Sequence, residues 1–412
     1  MVVVRPFKGL RPKDELAEKV ASPPYDVLDS DEAREMVGEN RLCFLRVVKP
    51  EVDLDPKVDL YSDQVYEQGA KNLQEFIGNG TMVQDPDEAF YFYRQIMGTH
   101  EQYGLVATVS AQDYLNENIK KHEFTRPDKE ADRVRHITTM RAQCGPVFLT
   151  YKDIPHMNEL QDGYCTVFKP NVDFKAPDGI RHTLWAIRDP EIIGRIIELF
   201  SDVPHIYVAD GHHRSAAGTI VAQKFKEKNP DHTGEEEYNF FLAVLFPQSH
   251  MKILEYNRAV TDLNGLSLKE YLEKVSQKFD IFENADPSPS ELHRFSMYVD
   301  KKWYGLVPKD GTFPDTHPVK RLDAAILQDN LLSPVLAIDD PRASNRIKFV
   351  GGIRGTKELE RLVDSDMFAV AFSLFPVTVA QLMDVADSGN VMPPKSTWFE
   401  PKLRSGLVVH LI

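Results

Sequence analysis

The chain has 412 residues, of which 42% are hydrophobic and 27% are charged, and its formal net charge is −14. This length can bury two or three hydrophobic cores, and the composition is ordinary for a globular enzyme. The acidic balance argues against nucleic acid as a partner, because binding of DNA phosphates requires a basic surface. An anionic small molecule is compatible with the sequence, provided that its pocket concentrates the basic side chains of an acidic chain.

The sequence also disfavours a membrane or secreted protein. No apolar run reaches the roughly 18 residues that a membrane helix needs. The N-terminus, Met-Val-Val-Val-Arg-Pro, carries neither a basic leader nor a cleavage signature, so we expect a cytoplasmic protein without a secretory signal or membrane contact. The cysteines Cys43, Cys144 and Cys165 lack metal-binding spacing and cannot all pair, so we expect reduced thiols.

The first part of the chain predicts several strands and one clear helix. Apolar residues at helical spacing predict a helix over residues 64–77 that ends at Gly78. Pro23 and Pro24 exclude a helix and force an extended path into Asp26, a pattern that by itself favours a plain turn. Runs of β-branched and aromatic residues predict strands over residues 2–5, 42–48, 89–96 and 103–109.

Residues 119–133 carry a dense mixture of positive and negative charge. Pro127 interrupts this segment, and we predict a helix from about Asp128 to Gln143. Ion pairs between successive helical turns explain the second half of the segment as a solvated face. They do not explain the non-helical half, for which we predict a functional loop that carries Lys121, His122, Glu123 and Thr125.

The middle of the chain alternates helices and strands, as expected of an α/β fold. A helix predicted over residues 190–200 leads to the apolar run Ile206–Val208. The small residues Ser215–Gly218 then begin a further helix. The turn between this strand and this helix consists of Asp210, Gly211, His212, His213 and Arg214.

This turn is suited to a phosphate group. A helix N-terminus offers unpaired N–H groups and the positive end of the helix dipole, and Gly211 lets the backbone approach a ligand closely. The arginine and the two histidines add charge and donors, while Asp210 can accept a proton or hold a divalent cation. In the alternative, Asp210 only caps the helix and the histidines are solvated, but turns of this kind often hold ligands.

The second half of the chain predicts smaller α+β units. Residues 239–246 are predicted to form a buried strand that pairs with a strand over residues 251–258, and a helix over residues 268–279 precedes further short strands. Residues 310–317 form a linker rich in Gly, Pro and Asp. We therefore expect three regions, which are a catalytic N-terminal region at 1–235, an α+β subdomain at 236–310 and a C-terminal region at 311–412 that folds back on the active site.

The C-terminal stretch Met392–Gly406 combines prolines with basic and hydroxyl side chains. The prolines make it extended and pre-organised, and the neighbouring Trp398 and Phe399 indicate that it is docked rather than solvated. Its polar side chains suit a polyanion with several phosphate oxygens, and they are Lys395, Ser396, Thr397, Lys402 and Arg404.

Several of these motifs resemble one protein family. The string Gly211-x-His213-Arg214 matches the phosphate motif of the ParB/sulfiredoxin superfamily, and Ala-Asp-Gly-His-His-Arg resembles one branch of it. That branch is a large family long labelled as of unknown function and related to the free serine kinases. The resemblance extends over most of the chain, through Ser22-Pro-Pro-Tyr-Asp-Val27, Lys121-His-Glu-Phe-Thr125 with Asp132-Arg133, and Pro394-Lys-Ser-Thr-Trp-Phe399 with Pro401-Lys-Leu-Arg-Ser-Gly406.

The resemblance implies a mixed α/β fold, with a ParB/sulfiredoxin-like catalytic core and additional α+β subdomains. It also implies transfer of a phosphoryl group to the hydroxyl of free L-serine, which gives O-phosphoserine. In this branch the implied donor is inorganic pyrophosphate rather than a nucleotide, with Mg²⁺ as the cofactor. The expected partners are therefore small molecules, and the expected assembly is a monomer or a homodimer.

The resemblance assigns roles to individual residues. Asp210 and Asp26 are both candidates for the base, and Asp210 is also a possible metal ligand. The free serine kinases use a Glu at the position nearest Asp26, so this chain departs from their pattern there. His213 is expected to take part in catalysis with Glu123, which lies on the acceptor side. Substrate and phosphate contacts are expected from Gly211, His212, Arg214, His122, Thr125 and Arg133, and from the five C-terminal residues named above.

The sequence disfavours two other functions of this superfamily and leaves several alternatives open. A sulfiredoxin-like reductase needs a nucleophilic Cys where this chain has His212, and a ParB-like DNA switch conflicts with the acidic charge. No Walker or protein-kinase signature is present. An ATP- or ADP-dependent serine kinase, a phosphoserine phosphatase on the same fold, and a non-catalytic regulator that binds a phosphorylated metabolite all stay as alternatives.

Overall fold

The computed structural model describes residues Met1–Ile412 and divides into two compact units. The first unit comprises Met1–Met251 together with Pro401–Ile412, and the second comprises Lys252–Glu400. These units differ from the three expected regions, because residues 236–251 belong to the first unit and no division falls near residue 310. Only the last residues, from Pro401 onward, return to the unit that holds the predicted catalytic turn.

Both units contain strands as well as helices, which confirms a mixed α/β fold. The strands are β1 (Val4–Arg5), β2 (Leu10–Pro12), β3 (Met82–Gln84), β4 (Phe90–Met97), β5 (His100–Ser110), β6 (Ile119–Lys120), β7 (Ala142–Gln143), β8 (Val147–Tyr151), β9 (Val172–Lys175), β10 (Arg181–Ile187), β11 (Ile206–Asp210), β12 (Phe240–Pro247), β13 (Lys252–Leu254), β14 (Tyr256–Val260), β15 (Phe279–Glu283), β16 (Phe295–Val299), β17 (Lys302–Pro308), β18 (Ile347–Gly351), β19 (Val370–Leu374), β20 (Trp398–Glu400) and β21 (His410–Leu411).

The helices range from one turn to more than four turns. They are α1 (Ala17–Val20), α2 (Ser30–Val37), α3 (Leu45–Val48), α4 (Asp63–Gly78), α5 (Ala111–Leu115), α6 (Pro127–Met140), α7 (Pro155–Val167), α8 (Pro190–Ser201), α9 (His212–Lys228), α10 (Leu268–Val275), α11 (Asp323–Leu327), α12 (Thr356–Asp364) and α13 (Val379–Asp387). A 3₁₀ turn spans Tyr25–Val27, and a π-helix spans Gln328–Leu332. No helix is long and apolar enough to cross a membrane.

The first unit is built on a mixed nine-stranded sheet. Its order is β6-β11-β8-β12-β5-β4-β10-β9, and β1 also pairs with β5. Strand β12 is central, since it pairs in parallel with β8 and antiparallel with β5, and every one of its residues is buried. An expected boundary at residue 235 is therefore wrong, because the strand that follows it completes the first unit's sheet and core.

The second unit contains a six-stranded antiparallel sheet with the order β15-β17-β16-β19-β14-β18. Strand β14 lies between β18 and β19, which come from much later in the chain. The expected boundary near residue 310 is thus absent, because one sheet joins the residues on both sides of it. The pairing expected between residues 239–246 and 251–258 is also wrong, since β13 pairs with β20 and β14 pairs with β18 and β19.

Most predicted elements of the first unit are present, with one clear exception. Residues 42–48 do not form a strand, because Leu45–Val48 is a single helical turn. All four of its residues are buried, and a short apolar run that is buried on every side has no periodicity to distinguish a helix from a strand. Near the C-terminus, His410–Leu411 pairs with β7, and Val409 forms an antiparallel bridge with Leu10. All three cysteines are free, as expected.

Candidate functional site

The predicted turn between strand and helix is present, with Asp210 as the last residue of β11 and His212 as the first of α9. Gly211 between them has φ 94° and ψ 31°, a left-handed conformation that favours glycine. A Cβ atom at this position would lie 3.1 Å from the Arg214 guanidinium. Gly211 is the N-cap and no side chain caps the helix, so Asp210 does not have the capping role of the alternative interpretation.

Asp210 is held between two cations. The Lys402 ammonium donates to its Oδ2 atom at 2.8 Å, and Arg214 Nη2 lies 3.8 Å from its Oδ1 atom. Burial alone would raise the pKa of Asp210, but the charges of Lys402 and Arg214 outweigh burial and hold this pKa well below its ordinary value. Asp210 is therefore ionised at neutral pH, and its carboxylate accepts a proton poorly while it is paired with Lys402.

Asp26, which lies near the N-terminus of the chain, also contacts Arg214. Its Oδ2 atom lies 3.6 Å from Arg214 Nη2, and its side chain is 39% exposed. Arg214 also donates a hydrogen bond to the Pro146 carbonyl, which orients the guanidinium. The two candidate bases, Asp26 and Asp210, thus share one guanidinium, and we call this group with Lys402 the carboxylate–cation cluster.

The C-terminal residues of the first unit bring Lys402 to this cluster. Ser22 and Ser405 exchange backbone hydrogen bonds of 3.0 and 2.9 Å and form an isolated antiparallel bridge, which joins the segment before the 3₁₀ turn of Asp26 to the segment after Lys402. Gln95 Nε2 donates to the Lys402 carbonyl at 2.9 Å. These contacts anchor the lysine backbone beside β11, so that its ammonium group reaches the Asp210 carboxylate.

Arg404 already forms hydrogen bonds with side chains of the protein. Its Nε atom donates to His182 Nε2 at 3.1 Å, and its Nη2 atom donates to Asp178. His182 in turn contacts the Tyr93 hydroxyl through Nδ1 at 2.7 Å. Arg404 is 7% exposed, and its donors fasten the C-terminal segment to β10, so a ligand would have to compete with Asp178 for it.

The other three C-terminal residues lie in the second unit. Lys395 has a left-handed φ of 55°, and the Ser396 hydroxyl donates to the Pro393 carbonyl at 2.7 Å. Lys395 lies in a turn, and Ser396 and Thr397 follow it directly before β20. The five residues expected to bind the donor are thus divided between the two units, and their common role stays a prediction.

The three histidines of the site are neutral for a shared reason. The rings of His122 and His212 meet edge to face at 4.5 Å, and both side chains are buried. Burial lowers the pKa of His122 to about 4 and lowers that of His212 well below its ordinary value. Burial also lowers the pKa of the half-buried His213. The Nε2 atom of His212 is buried without a hydrogen-bond partner, which leaves a polar atom at the helix N-terminus for a ligand.

The loop before α6 joins this site through its backbone. The Arg126 N–H donates to His213 Nε2 at 3.1 Å, so His213 accepts there and its proton resides on Nδ1. The Thr125 hydroxyl donates to Glu130 within the same segment, and Glu123 is exposed. Apolar residues of α6 and α9 pack together and fix the two elements, namely Val134, Ile137, Ala217 and Val221.

Arg133 has a different environment from the one expected of a substrate ligand. It forms an ion pair of 2.7 Å with Asp132 and lies 4.0 Å from the centre of the Tyr25 ring. The Tyr66 hydroxyl donates to Asp132 at 2.7 Å. Arg133 therefore supports the residue next to Asp26 and orients the 3₁₀ turn that carries it. Sequence reasoning did not find Tyr66, because a single tyrosine on a helix carries no sign of such a contact.

The carboxylates of the cluster could hold Mg²⁺ only together with a substrate. No group of three or more His, Cys, Asp or Glu side chains is arranged to hold a metal ion. Mg²⁺ prefers oxygen ligands and commonly binds one or two carboxylates plus substrate phosphates. Asp210 and Asp26 match that donor set, and the ion would have to displace Lys402 or Arg214 from them in part.

Fold and site together define a mixed α/β protein with a carboxylate–cation cluster at the start of a helix. A family model described as "Protein of unknown function (DUF1015)" matches residues 4–325. The chain therefore belongs to this family. No curated protein matches it.

Several solved structures share low similarity with the chain. A free serine kinase in complex with AMP is 12% identical with a TM-score of 0.37, over 71% of this chain and 86% of that one. A conserved hypothetical protein from Pyrococcus furiosus is 12% identical with a TM-score of 0.36, over 74% and 95%. SbnI from Staphylococcus aureus, with a C-terminal truncation, is 12% identical with a TM-score of 0.38, over 74% and 87%.

Proposed function

We propose that this protein transfers a phosphoryl group from inorganic pyrophosphate to the hydroxyl of free L-serine. The observation that carries the proposal is the carboxylate–cation cluster, in which Lys402 and Arg214 flank Asp210 at the N-terminal turn of a helix. Phosphoryl transfer needs charge neutralisation and positioning rather than covalent machinery. This cluster offers a base, two cations and backbone N–H groups within a few ångströms of one another.

In the proposed reaction the serine hydroxyl oxygen forms a bond to the terminal phosphorus of pyrophosphate. The bond from that phosphorus to the bridging oxygen breaks, and orthophosphate leaves with the bonding electron pair. The hydroxyl proton passes to a carboxylate, which is Asp210 or Asp26. Arg214 and Lys402 donate to the phosphate oxygens on which negative charge is concentrated.

Lys402 links donor binding to the strength of the base. While Lys402 is paired with Asp210, the carboxylate has a depressed pKa and accepts a proton poorly. When the ammonium turns to a phosphate oxygen, the pKa of Asp210 rises toward its ordinary value. Where Asp26 acts as the base instead, Asp210 would be the protein ligand of Mg²⁺, and the ion would neutralise further phosphate charge.

A donor screen tests the proposal. Purified protein, L-serine and Mg²⁺ are mixed with pyrophosphate, ADP, ATP or polyphosphate, and phosphoserine is measured directly. Phosphoserine formed with pyrophosphate alone supports the proposal. Product with a nucleotide alone would keep the reaction class and refute the donor, whereas no product with any donor would refute the proposed reaction. Run with phosphoserine and phosphate, the same assay detects the reverse direction.

A further inference from the structure

The second unit contains a cavity of about 260 Å³, and every residue that lines it belongs to this unit. Its lining includes Arg258 of β14 and Phe349 of β18. Asp339, Asp340 and Arg342, which also line it, are exposed. The cavity therefore has a buried cationic wall and a charged, accessible rim. Its volume is sufficient for a small organic molecule and far exceeds that of a single water.

Arg258 differs from every other buried arginine of this protein. It is 3% exposed, and the others in this class are Arg11, Arg46 and Arg404. Each of those three is paired with a carboxylate, respectively of Asp85, Asp53 and Asp178. Arg258 instead donates to two backbone carbonyls, those of Tyr256 and Lys395, the latter at 3.1 Å. A buried guanidinium without a counter-charge is unfavourable.

The surroundings of Arg258 hold its guanidinium in place without neutralising it. Its Cζ atom lies 5.2 Å from the centre of the Phe349 ring, which restrains the guanidinium plane. Burial lowers the pKa of Arg258 to about 10, which still leaves the group charged at neutral pH. Two of the five guanidinium N–H donors are used by the two carbonyls. The remaining donors can bind an oxyanion in the cavity.

The charged residues at the rim of the cavity indicate which kind of anion can bind there. Asp339 and Asp340 bring two carboxylates to the lining, against the single cation of Arg342. Of these, Asp339 accepts a hydrogen bond from the Ser333 hydroxyl at 2.5 Å, and Asp340 is 4.0 Å from the Arg342 guanidinium. A polyanion would be repelled there. A ligand with one anionic group and one ammonium group would satisfy both Arg258 and the acidic rim.

We propose that this cavity is a binding site for a small zwitterion with the chemistry of a free α-amino acid. Arg258 binds the carboxylate of the ligand, and Asp339 and Asp340 bind its ammonium group. The side chain of the ligand lies against the apolar part of the lining, which includes Phe349 and Pro394. This site does not depend on the proposed catalytic reaction, because all of its residues lie in the second unit.

Binding is tested on the full chain with each common free amino acid and with inorganic phosphate, by calorimetry and thermal shift. We expect at least one amino acid to bind, and binding to fall at least about tenfold in Arg258→Lys and in Asp339→Asn. Lysine cannot form the bidentate contact of a guanidinium with a carboxylate, and asparagine lacks the negative charge that binds the ammonium group. Because Asp339 is exposed, we expect Asp339→Asn to fold normally. It therefore tests the site even where Arg258→Lys disrupts the fold. Arg346→Met is the matched control, because Arg346 pairs with Asp262 outside the cavity.

Four results would overturn the assignment, and the first three are seen without a variant of the carboxylate–cation cluster. These three are the absence of binding by any amino acid, unchanged binding in both Arg258→Lys and Asp339→Asn, and binding of phosphate without binding of any amino acid. An amino acid that binds only at the carboxylate–cation cluster is recognised separately, because Asp210→Asn would weaken it and Asp339→Asn would not. That pattern also contradicts the proposed site.

Discussion

Two nearly buried arginines, Arg214 and Arg258, differ in whether a carboxylate neutralises their charge. Arg214 lies within 4 Å of two carboxylates, so its cluster is neutralised before any ligand arrives. Arg258 has only neutral carbonyl partners and an open cavity beside it. An anion that binds Arg214 must compete with Asp26 and Asp210 for its guanidinium. Because Asp210 then loses a neighbouring positive charge, binding would also raise the pKa of Asp210. A ligand at Arg258 does not have to break an ion pair of that arginine, which suits binding without chemistry.

The largest expected effect comes from removing the shared cation in Arg214→Met. Asp26 and Asp210 would then lose the guanidinium that both contact, and breaking a largely buried ion pair typically costs about 3 kcal/mol of unfolding free energy. Urea denaturation measures the loss. Arg181→Met, which breaks the exposed pair with Asp173, is the control and should cost less than about 1 kcal/mol. Equal losses would show that Arg214 is not an electrostatic centre.

Lys402→Ala should act on catalysis more than on stability. We expect a fall of about 100-fold in kcat/KM, since the ammonium group is assigned to the phosphate oxygens. The KM for the donor should rise more than the KM for serine. Steady-state kinetics with each substrate varied in turn distinguish the two. The reverse pattern would move Lys402 to the acceptor side of the site.

The acid stability of the protein should depend on Asp210. A carboxyl whose pKa is depressed in the folded state contributes stability above its unfolded pKa of about 4, and this contribution is lost as the pH falls through its lower folded pKa. Wild type should therefore lose roughly 1–2 kcal/mol more than Asp210→Asn when the pH is lowered from 6 toward 2. Denaturation curves at several pH values measure this difference, and parallel curves would show that Asp210 is not held by Lys402 and Arg214.

The smallest expected effect concerns the support of Asp26. Tyr25→Leu removes the ring beneath Arg133, a cation–π contact worth about 1 kcal/mol. If Asp26 takes part in catalysis, kcat should fall while the fold is retained. Tyr61→Leu removes the ring beneath Lys129 and is the matched control, with no expected change in kcat. The same kcat in both variants would show that the contact between Tyr25 and Arg133 does not position Asp26 for catalysis.

The sequence predicted the parts of the site that depend on neighbouring residues. The turn from Asp210 to Arg214 is local, since a β-branched run, a glycine that adopts a positive φ and a run of small residues specify strand, turn and helix in order. The helix over 64–77 and the paired strands β4 and β5 follow from periodicity in the same way. These elements needed no information about distant partners.

The parts that could not be predicted depend on contacts between distant residues. Lys402 and Asp210 are 192 positions apart, and no local pattern specifies their pairing. Strand β14 pairs with strands that follow it by many residues, which is why the expected boundary near residue 310 was wrong. The missing counter-charge of Arg258 is equally invisible in the sequence, because it is a property of everything packed around that side chain.

One measurement tests the central claim most directly. Wild type, Asp210→Asn and the control Asp173→Asn are incubated with L-serine, pyrophosphate and Mg²⁺, and phosphoserine and orthophosphate are followed by ³¹P NMR. The proposed function predicts that wild type and Asp173→Asn each form phosphoserine and orthophosphate in a one-to-one ratio. It predicts that a folded Asp210→Asn forms neither product above background. Phosphoserine formed by Asp210→Asn at the wild-type rate would contradict the catalytic role of the carboxylate–cation cluster.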